Sequence, residues 1–495
     1  MIRVTGKRSA YLAPIAVLFT IAISLRIGAP VVARAQTSAS GDAEISEKVD
    51  GYVAAEMRTE KIPGLALAVV RDGTTIKSRG YGLANVELDV PVKPETIFQT
   101  GSVGMQFTAT AVMMLVEDGK VRLDDPIGKY LSGAPATWKN ITVRNLLTHT
   151  SGIHDYETES LTKKGAAFVN LRNDYTEDEL FKKFSGLPLD FPPGSQWRYS
   201  NSGYVILGIL IHKVTGQFYG DVLQERIFRP LGMTSTRIIS EADIIPNRAA
   251  GYRLVNGEIK NQEWVSPMLN TTADGALYTN VLDLAKWDAA LYTEKVLKKG
   301  SLDQMWTAVR LNDGNTAEYG FGWDISTVNG HRLIEHGGAW QGFTTQISRY
   351  VDDKFTVIIL TNLDSEHSEP DKIALGVTTL YLPNLSPTEL KPIADTEPKV
   401  TALLRSTLAS LASGNPDLES FAPDQRAIWA PGRIVGLSEV IRNLGALESA
   451  DLLERKEENG SRFYRYRTVF SSRTMFVEFS LDREGKIGGW RIRPY

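Results

Sequence analysis

Cysteine is absent from all 495 residues, which removes disulfides, thiolate metal sites and a cysteine nucleophile together. Covalent chemistry, if any, must use an oxygen or nitrogen nucleophile. Histidine is scarce: the set is His149, His154, His212, His331, His336 and His367, with neither an HExxH pair nor an HxH spacing. Neither a metal nor a cofactor is expected from that pattern. Excess charge is lacking as well, because 55 basic residues against 58 acidic ones leave a formal charge of -3, and no nucleic-acid partner is expected. Hydrophobic residues at 42% and charged residues at 23% are ordinary globular usage, and the length exceeds what one hydrophobic core normally serves. Two globular units are the starting expectation.

One long apolar run exists, Ala10 to Leu25, behind Arg3, Lys7 and Arg8 and ahead of the small residues of Ala33-Arg34-Ala35. That order reads as a secretory signal over residues 1–35, cleaved near Ala35. An uncleaved anchor is the competing reading, but the run, with Pro14 inside and Arg26 behind, is shorter than the ~20 residues a membrane span needs. The expectation is a bacterial periplasmic or secreted protein with no stable membrane anchor after cleavage.

Along the mature chain, Ile45 to Glu60 has helical spacing, and Leu65 to Val70, Asp72-Gly73 and Thr75 to Tyr81 read as a β-hairpin. Phe107 to Glu117 is apolar on every side, the mark of a helix buried in a domain centre. From Asn145 to about Trp323 the pattern is largely helix and loop, with helical periods at Gly203 to Val214 and Asp283 to Leu291. Thr344 to Tyr350 and Phe355 to Thr361 are strand candidates facing each other across Asp352-Asp353. Strands at both ends with helices between predict an α+β fold: an antiparallel sheet built from distant segments, flanked by helices, with a helical subdomain inserted. Pro383 to Pro398 holds four prolines, which places a linker at 386–398 between a domain at 40–385 and a small α+β module at 399–495. In that module an amphipathic helix from Val400 and a short one from Val440 to Leu444 precede four strands, Leu452 to Glu457, Phe463 to Phe470, Met475 to Leu481 and Ile487 to Ile492, with Asn459-Gly460 as a turn; it loosely resembles NTF2-like folds. Arg462, Arg465 and Arg467 read there as a solvated strand face.

Chemistry concentrates in three short stretches. Ser102 stands at the head of the buried helix, where serine is often only an N-cap. The stretch Phe98 to Leu131 around it, and Leu146-Leu-Thr-His-Thr-Ser-Gly152 beyond, resemble the nucleophile segment of the serine β-lactamase and penicillin-binding-protein superfamily: class C β-lactamases, DD-peptidases and related esterases. The resemblance runs from about Ile45 to Leu382. In that family the nucleophile lies in Ser-x-x-Lys, with the lysine one helical turn on and sharing its face; here Met105 departs from the motif. Met105, Ala109, Val112 and Val116 also form one apolar stripe, so the methionine has a packing role of its own.

By the same resemblance, Tyr199-Ser200-Asn201 supplies Tyr199 as general base and later proton donor, with Asn201 holding the substrate amide. A phenol near pKa 10 needs adjacent positive charge to act as a base at neutral pH. His336-Gly337-Gly338 matches the third motif: His336 assists Tyr199 or a substrate carboxylate, and Gly337 and Gly338 let substrate backbone approach. Backbone N–H groups of Ser102 and Ala339 form the implied oxyanion hole. The motifs are weak singly, yet their order and spacings of about 97 and 137 residues are specific. The reading is an exported serine hydrolase of small-molecule or peptide amides or esters, working through a Ser102 acyl-enzyme and slowed by the missing lysine. Its alternative is a pseudoenzyme that holds a peptidoglycan-like or acyl ligand. An α/β-hydrolase is excluded because Thr100 stands where the Gly-x-Ser-x-Gly elbow needs glycine.

Overall fold

The computed structural model describes residues 31–157, 169–238, 243–267, 269–364, 367–385, 391–426, 437–438, 441–458, 461–472 and 474–494. Most of the expected signal segment, part of the linker and the Asn459-Gly460 turn lie outside them. Residues Met1–Lys48 and Val49–Tyr495 are two compact units; of the first, helical backbone from Val31 onward is described. Among the described residues no helix is long and apolar enough to cross a membrane.

Helix α1, Val31–Glu60, leads into strands β1, Gly64–Arg71, β2, Thr74–Asn85, and the two-residue β3, Val90–Pro91. Helix α2, Met105–Glu117, is followed by α3, Asn201–Thr215, and α4, Val281–Ala290. Strands β4, Asp324–Val328, β5, His331–Trp340, β6, Phe343–Tyr350, and β7, Phe355–Thr361, come next, and α5, Pro370–Tyr381, ends this part. One antiparallel seven-stranded sheet results, in the order β4-β5-β6-β7-β1-β2-β3. Its strands come from both ends of the segment and residues 92–323 are inserted between them, as the sequence pattern predicts.

The interior strand β1 is buried nearly throughout, so both of its alternating faces are covered. Ala66, Ala68 and Val70 join the core that contains α2, α3 and Trp287 of α4. On α5, Lys372 pairs with Glu56 of α1 at 2.7 Å, and Tyr52 donates to the Lys372 carbonyl. The insertion is not all helix and loop. Phe98–Gln99, Leu277–Thr279 and Arg237–Ile238 form a small sheet, and Tyr252–Val255 pairs with Glu258–Asn261. Strand runs this short escape a test for periodicity.

The C-terminal module has α6, Pro398–Ala412, and strands β8, Leu447–Glu458, β9, Ser461–Phe470, β10, Thr474–Leu481, and β11, Ile487–Pro494, paired in sequence order. Val400, Leu404, Leu408 and Leu411 of α6 form a hydrophobic cluster of their own with Tyr464, Tyr466, Val477 and Phe479. The arginines of β9 are not merely solvated: Arg462 pairs with Glu397, Arg465 with Glu454 and Glu478, and Arg467 with Asp451.

Candidate active site

Ser102 lies in a 3-10 turn, Gly101–Gly104, that runs into α2 at Met105. It does not serve as a cap: neither the turn nor α2 carries a side-chain cap hydrogen bond, and the Ser102 carbonyl accepts from the Met105 N–H. Backbone contacts on two sides fix the turn. Thr100 N–H donates to the Leu277 carbonyl at 2.9 Å, and Thr345 Oγ1 donates to the Thr100 carbonyl at 2.7 Å. Gly101 has φ +55°, and a Cβ there would stand 2.5 Å from the Ala339 carbonyl oxygen. A Cβ on Gly338 would overlap the Thr100 carbonyl. Glycine is thus required where β5 presses on the nucleophile turn.

Three of the expected groups converge beside this turn. Tyr199, half-buried, hydrogen-bonds with the Ser102 hydroxyl and donates from Oη to Met105 Sδ at 3.1 Å. Burial pushes its phenol well above the usual range; the Ser102 bond opposes that, and Glu157, Tyr204 and Asp274 reinforce it. No cation is among these strongest influences. Asn201 opens α3, its N–H held by Asp155 Oδ1 at 3.1 Å, and it lines one narrow cleft with Ser102 and Ala339.

His336 sits on β5 opposite Ile347, with its ring centre 6.3 Å from that of Tyr199. Both ring nitrogens are engaged elsewhere: Nδ1 lies 2.6 Å from the Gly337 carbonyl and Nε2 lies 2.8 Å from Tyr319 Oη. A carbonyl can only accept, so Nδ1 carries a proton toward Gly337, while Nε2 and the Tyr319 hydroxyl share the second bond. Gly337 and Gly338 follow on the same strand, paired with Gln346 and Thr345.

Several site residues carry no motif that the sequence reading used. His149, at φ +55° and buried, packs its ring against Tyr199, Tyr204 and Tyr319 at centre distances of 4.3, 5.1 and 4.7 Å. Its Nδ1 accepts from the Ser200 N–H at 3.2 Å, which steadies the segment bearing Tyr199. Burial, with His336 nearby, holds this imidazole well below its usual pKa, so it is neutral at pH 7. The segment Leu146 to Gly152 contained it, but a single histidine announces no such aromatic packing. Tyr319 and Asp274 have no local signature at all.

A serine-bearing turn at the head of a buried helix, wedged against an antiparallel sheet with a phenol and an imidazole alongside, defines the class: the β-lactamase-like fold, whose family consists of serine hydrolases. A family model described as Beta-lactamase matches residues 49–378, more than half of the chain, and the chain belongs to that family. Penicillin-binding protein 4* of Bacillus subtilis strain 168 is 30% identical over 306 residues, covering 59% of this chain and 67% of that protein. Unguisins hydrolase ungD' of Aspergillus campestris is 29% identical over 324 residues, 61% of this chain and 58% of that one. Among solved structures, an octameric penicillin-binding protein homologue from Pyrococcus abyssi superposes with TM-score 0.59 at 25% identity, over 90% of this chain and 99% of that one. The D-amino acid amidase of Ochrobactrum anthropi SV3 gives TM-score 0.59 at 25% identity, over 69% and 99%.

Proposed function

We propose that this chain is an exported serine hydrolase that opens amide or ester bonds through an acyl-enzyme at Ser102, slowly because Met105 stands where the family's lysine belongs. One observation carries the reading: the Tyr199 phenol contacts both Ser102 and Met105 Sδ. A thioether accepts that hydrogen bond but neither takes a proton nor supplies charge. The phenol therefore stays neutral and serves as proton donor to a leaving group rather than as base. Backbone N–H groups of Ser102 and Ala339 remain to hold the oxyanion, with Asn201 on the substrate amide. Losing a general base costs about 10² to 10⁴ in rate, which favours esters and other substrates with good leaving groups. The amidase and hydrolase names among the similar proteins support amide chemistry on small molecules or peptides.

We place the catalytic part at 40–385 and a separate module at 399–495; the two hydrophobic clusters support that division. The same neutral phenol also favours a second reading, a protein that binds a peptidoglycan-like or acyl ligand without cleaving it. A fluorophosphonate probe followed by mass spectrometry separates the two. Slow labelling at Ser102 in the wild type, none in Ser102→Ala, and labelling faster by about 10² to 10⁴ in Met105→Lys fit the hydrolase. Labelling only in Met105→Lys fits the binding protein. No labelling of Ser102 in either protein overturns the site.

A further inference from the structure

The residues that wall the nucleophile from the side opposite β5 include a carboxyl group. Residues 273–277 run flush against the Ser102 turn and α2: Thr108 Oγ1 donates to the Ala273 carbonyl at 2.8 Å, and a Cβ on Gly275 would stand 2.9 Å from the Gly101 carbonyl carbon. Asp274 lies between these two contacts. It is 4% exposed and lines the same cleft as Ser102, Glu157, Asn201 and Ala339. That cleft has a volume of about 10 Å³, room for at most one water.

We infer that Asp274 is the base for Ser102: its carboxylate takes the hydroxyl proton, directly or through one water, in place of the amine that Met105 cannot provide. The inference rests on the Ser102 acyl-enzyme reading. In acylation the Ser102 Oγ–carbonyl bond forms, the proton passes to Asp274, and the scissile bond breaks as the Tyr199 phenol gives its proton to the leaving amine or alcohol and regains one from Asp274. In deacylation a water oxygen bonds to the acyl carbon, its proton passes to Asp274 and on to Ser102 Oγ, and the acid leaves.

The surroundings suit this task. Tyr156, buried in the core, donates to Asp274 Oδ2 at 2.6 Å and fixes the carboxylate's orientation. Other titratable groups facing Asp274 are Glu157 and Asp155 from the segment bearing Tyr156, Tyr199 before α3, and Tyr219 from the helix after it. Burial raises the Asp274 carboxyl from 3.8 to about 6, against hydrogen bonds from Thr272 and Tyr156. Burial and the two neighbouring aspartates push the Glu157 carboxyl well above its usual range, while Asp274, at about 6, is mostly ionised at neutral pH. A base near the working pH transfers protons best.

The test is the rate of Ser102 labelling by a fluorophosphonate between pH 5 and 8, with p-nitrophenyl acetate hydrolysis alongside, for wild type, Asp274→Asn and Asp274→Glu. The wild-type rate should rise about tenfold per unit below pH 6 and level off above it. Asp274→Asn should slow by about 10² to 10⁴ at pH 7.5, lose the inflection, and keep a thermal midpoint no lower than wild type. Asp274→Glu should regain part of the rate with the inflection moved. A pH-independent wild-type rate, or an Asp274→Asn protein that labels like wild type, overturns the inference and leaves the acyl-enzyme reading standing. A raised KM with kcat and inflection preserved also overturns it, assigning the carboxylate to a substrate ammonium instead. Failure to label Ser102 even in Met105→Lys removes the acyl-enzyme and this base together.

Discussion

At the scale of single residues, the decisive contact is between a phenol and a sulfur. Met105 is fully buried, so its effect on Tyr199 is local and cannot be screened by water. Behind that pair, Tyr319 holds His336 Nε2 and also hydrogen-bonds with Tyr204, whose own hydroxyl donates to the Leu147 carbonyl. Tyr319→Phe keeps the ring but strands the buried imidazole nitrogen. Urea titration should show a loss of about 1–3 kcal/mol, with slower Ser102 labelling. Sequence reasoning reached Ser102, Tyr199, Asn201 and His336 through motif order. It missed Tyr319 and Asp274 because neither stands in a motif and each meets the site through the fold, Tyr319 against His149 and His336 and Asp274 against Tyr156.

Among elements, the meeting of the nucleophile turn with β5 is made of backbone. Gly101→Ala and Gly338→Ala each force a methyl into carbonyl groups that have no room to retreat. Both variants should lower the thermal midpoint by several degrees and abolish Ser102 labelling, whereas the outward-facing Gly300→Ala, with open space around it, should do neither. A second joint ties α4 to the sheet: Asp288 Oδ1 accepts from Arg349 Nε at 2.6 Å and from Thr356 Oγ1 at 2.8 Å, with both ionic side chains at most 1% exposed. The guanidinium lies among Tyr292, Trp306 and Trp323 at 5.0 to 5.5 Å from their ring centres. Asp288→Ala leaves a buried cation without its partner and should cost about 3–5 kcal/mol in chemical denaturation. Strand β7 was legible as a nearly continuous apolar run, and β6, which is largely polar, through the Asp352-Asp353 turn that faces the two toward each other. By contrast β5 reads His-Arg-Leu-Ile-Glu-His-Gly-Gly, which alternates poorly and takes its place from pairing with β6. One usable signal was passed over: Asn256-Gly257 and Asn329-Gly330 both adopt positive φ at hairpin turns.

For the whole molecule, buried carboxyls set the response to pH. Burial raises Glu60 and Glu335 to about 7 and Asp274 to about 6. A group raised in the folded state stabilises fully below its unfolded pKa and loses that contribution as pH climbs through its folded value. Asp50, Asp118 and Asp190, held low by Lys77, Arg226 and His154 against the cost of burial, act in the opposite sense below about pH 4. Thermal midpoints should therefore peak near pH 5 and fall between pH 5 and 7.5. In the triple variant Glu60→Gln, Asp274→Asn, Glu335→Gln that alkaline slope should flatten. The small C-terminal sheet was legible from the strand pattern beyond the prolines that follow α5. The ion pairs along β9 were not, since pairing depends on which carboxylates the neighbouring strands bring opposite.

Because main-chain atoms and the Thr345 hydroxyl seat the Ser102 turn, the side chain at 105 works like a replaceable cartridge. Reactivity can be dialled by exchanging that one insert while the anvil beneath the serine stays put. Protein engineers thus have a scaffold in which the strength of the proton relay and the placement of the attacking oxygen can be varied independently.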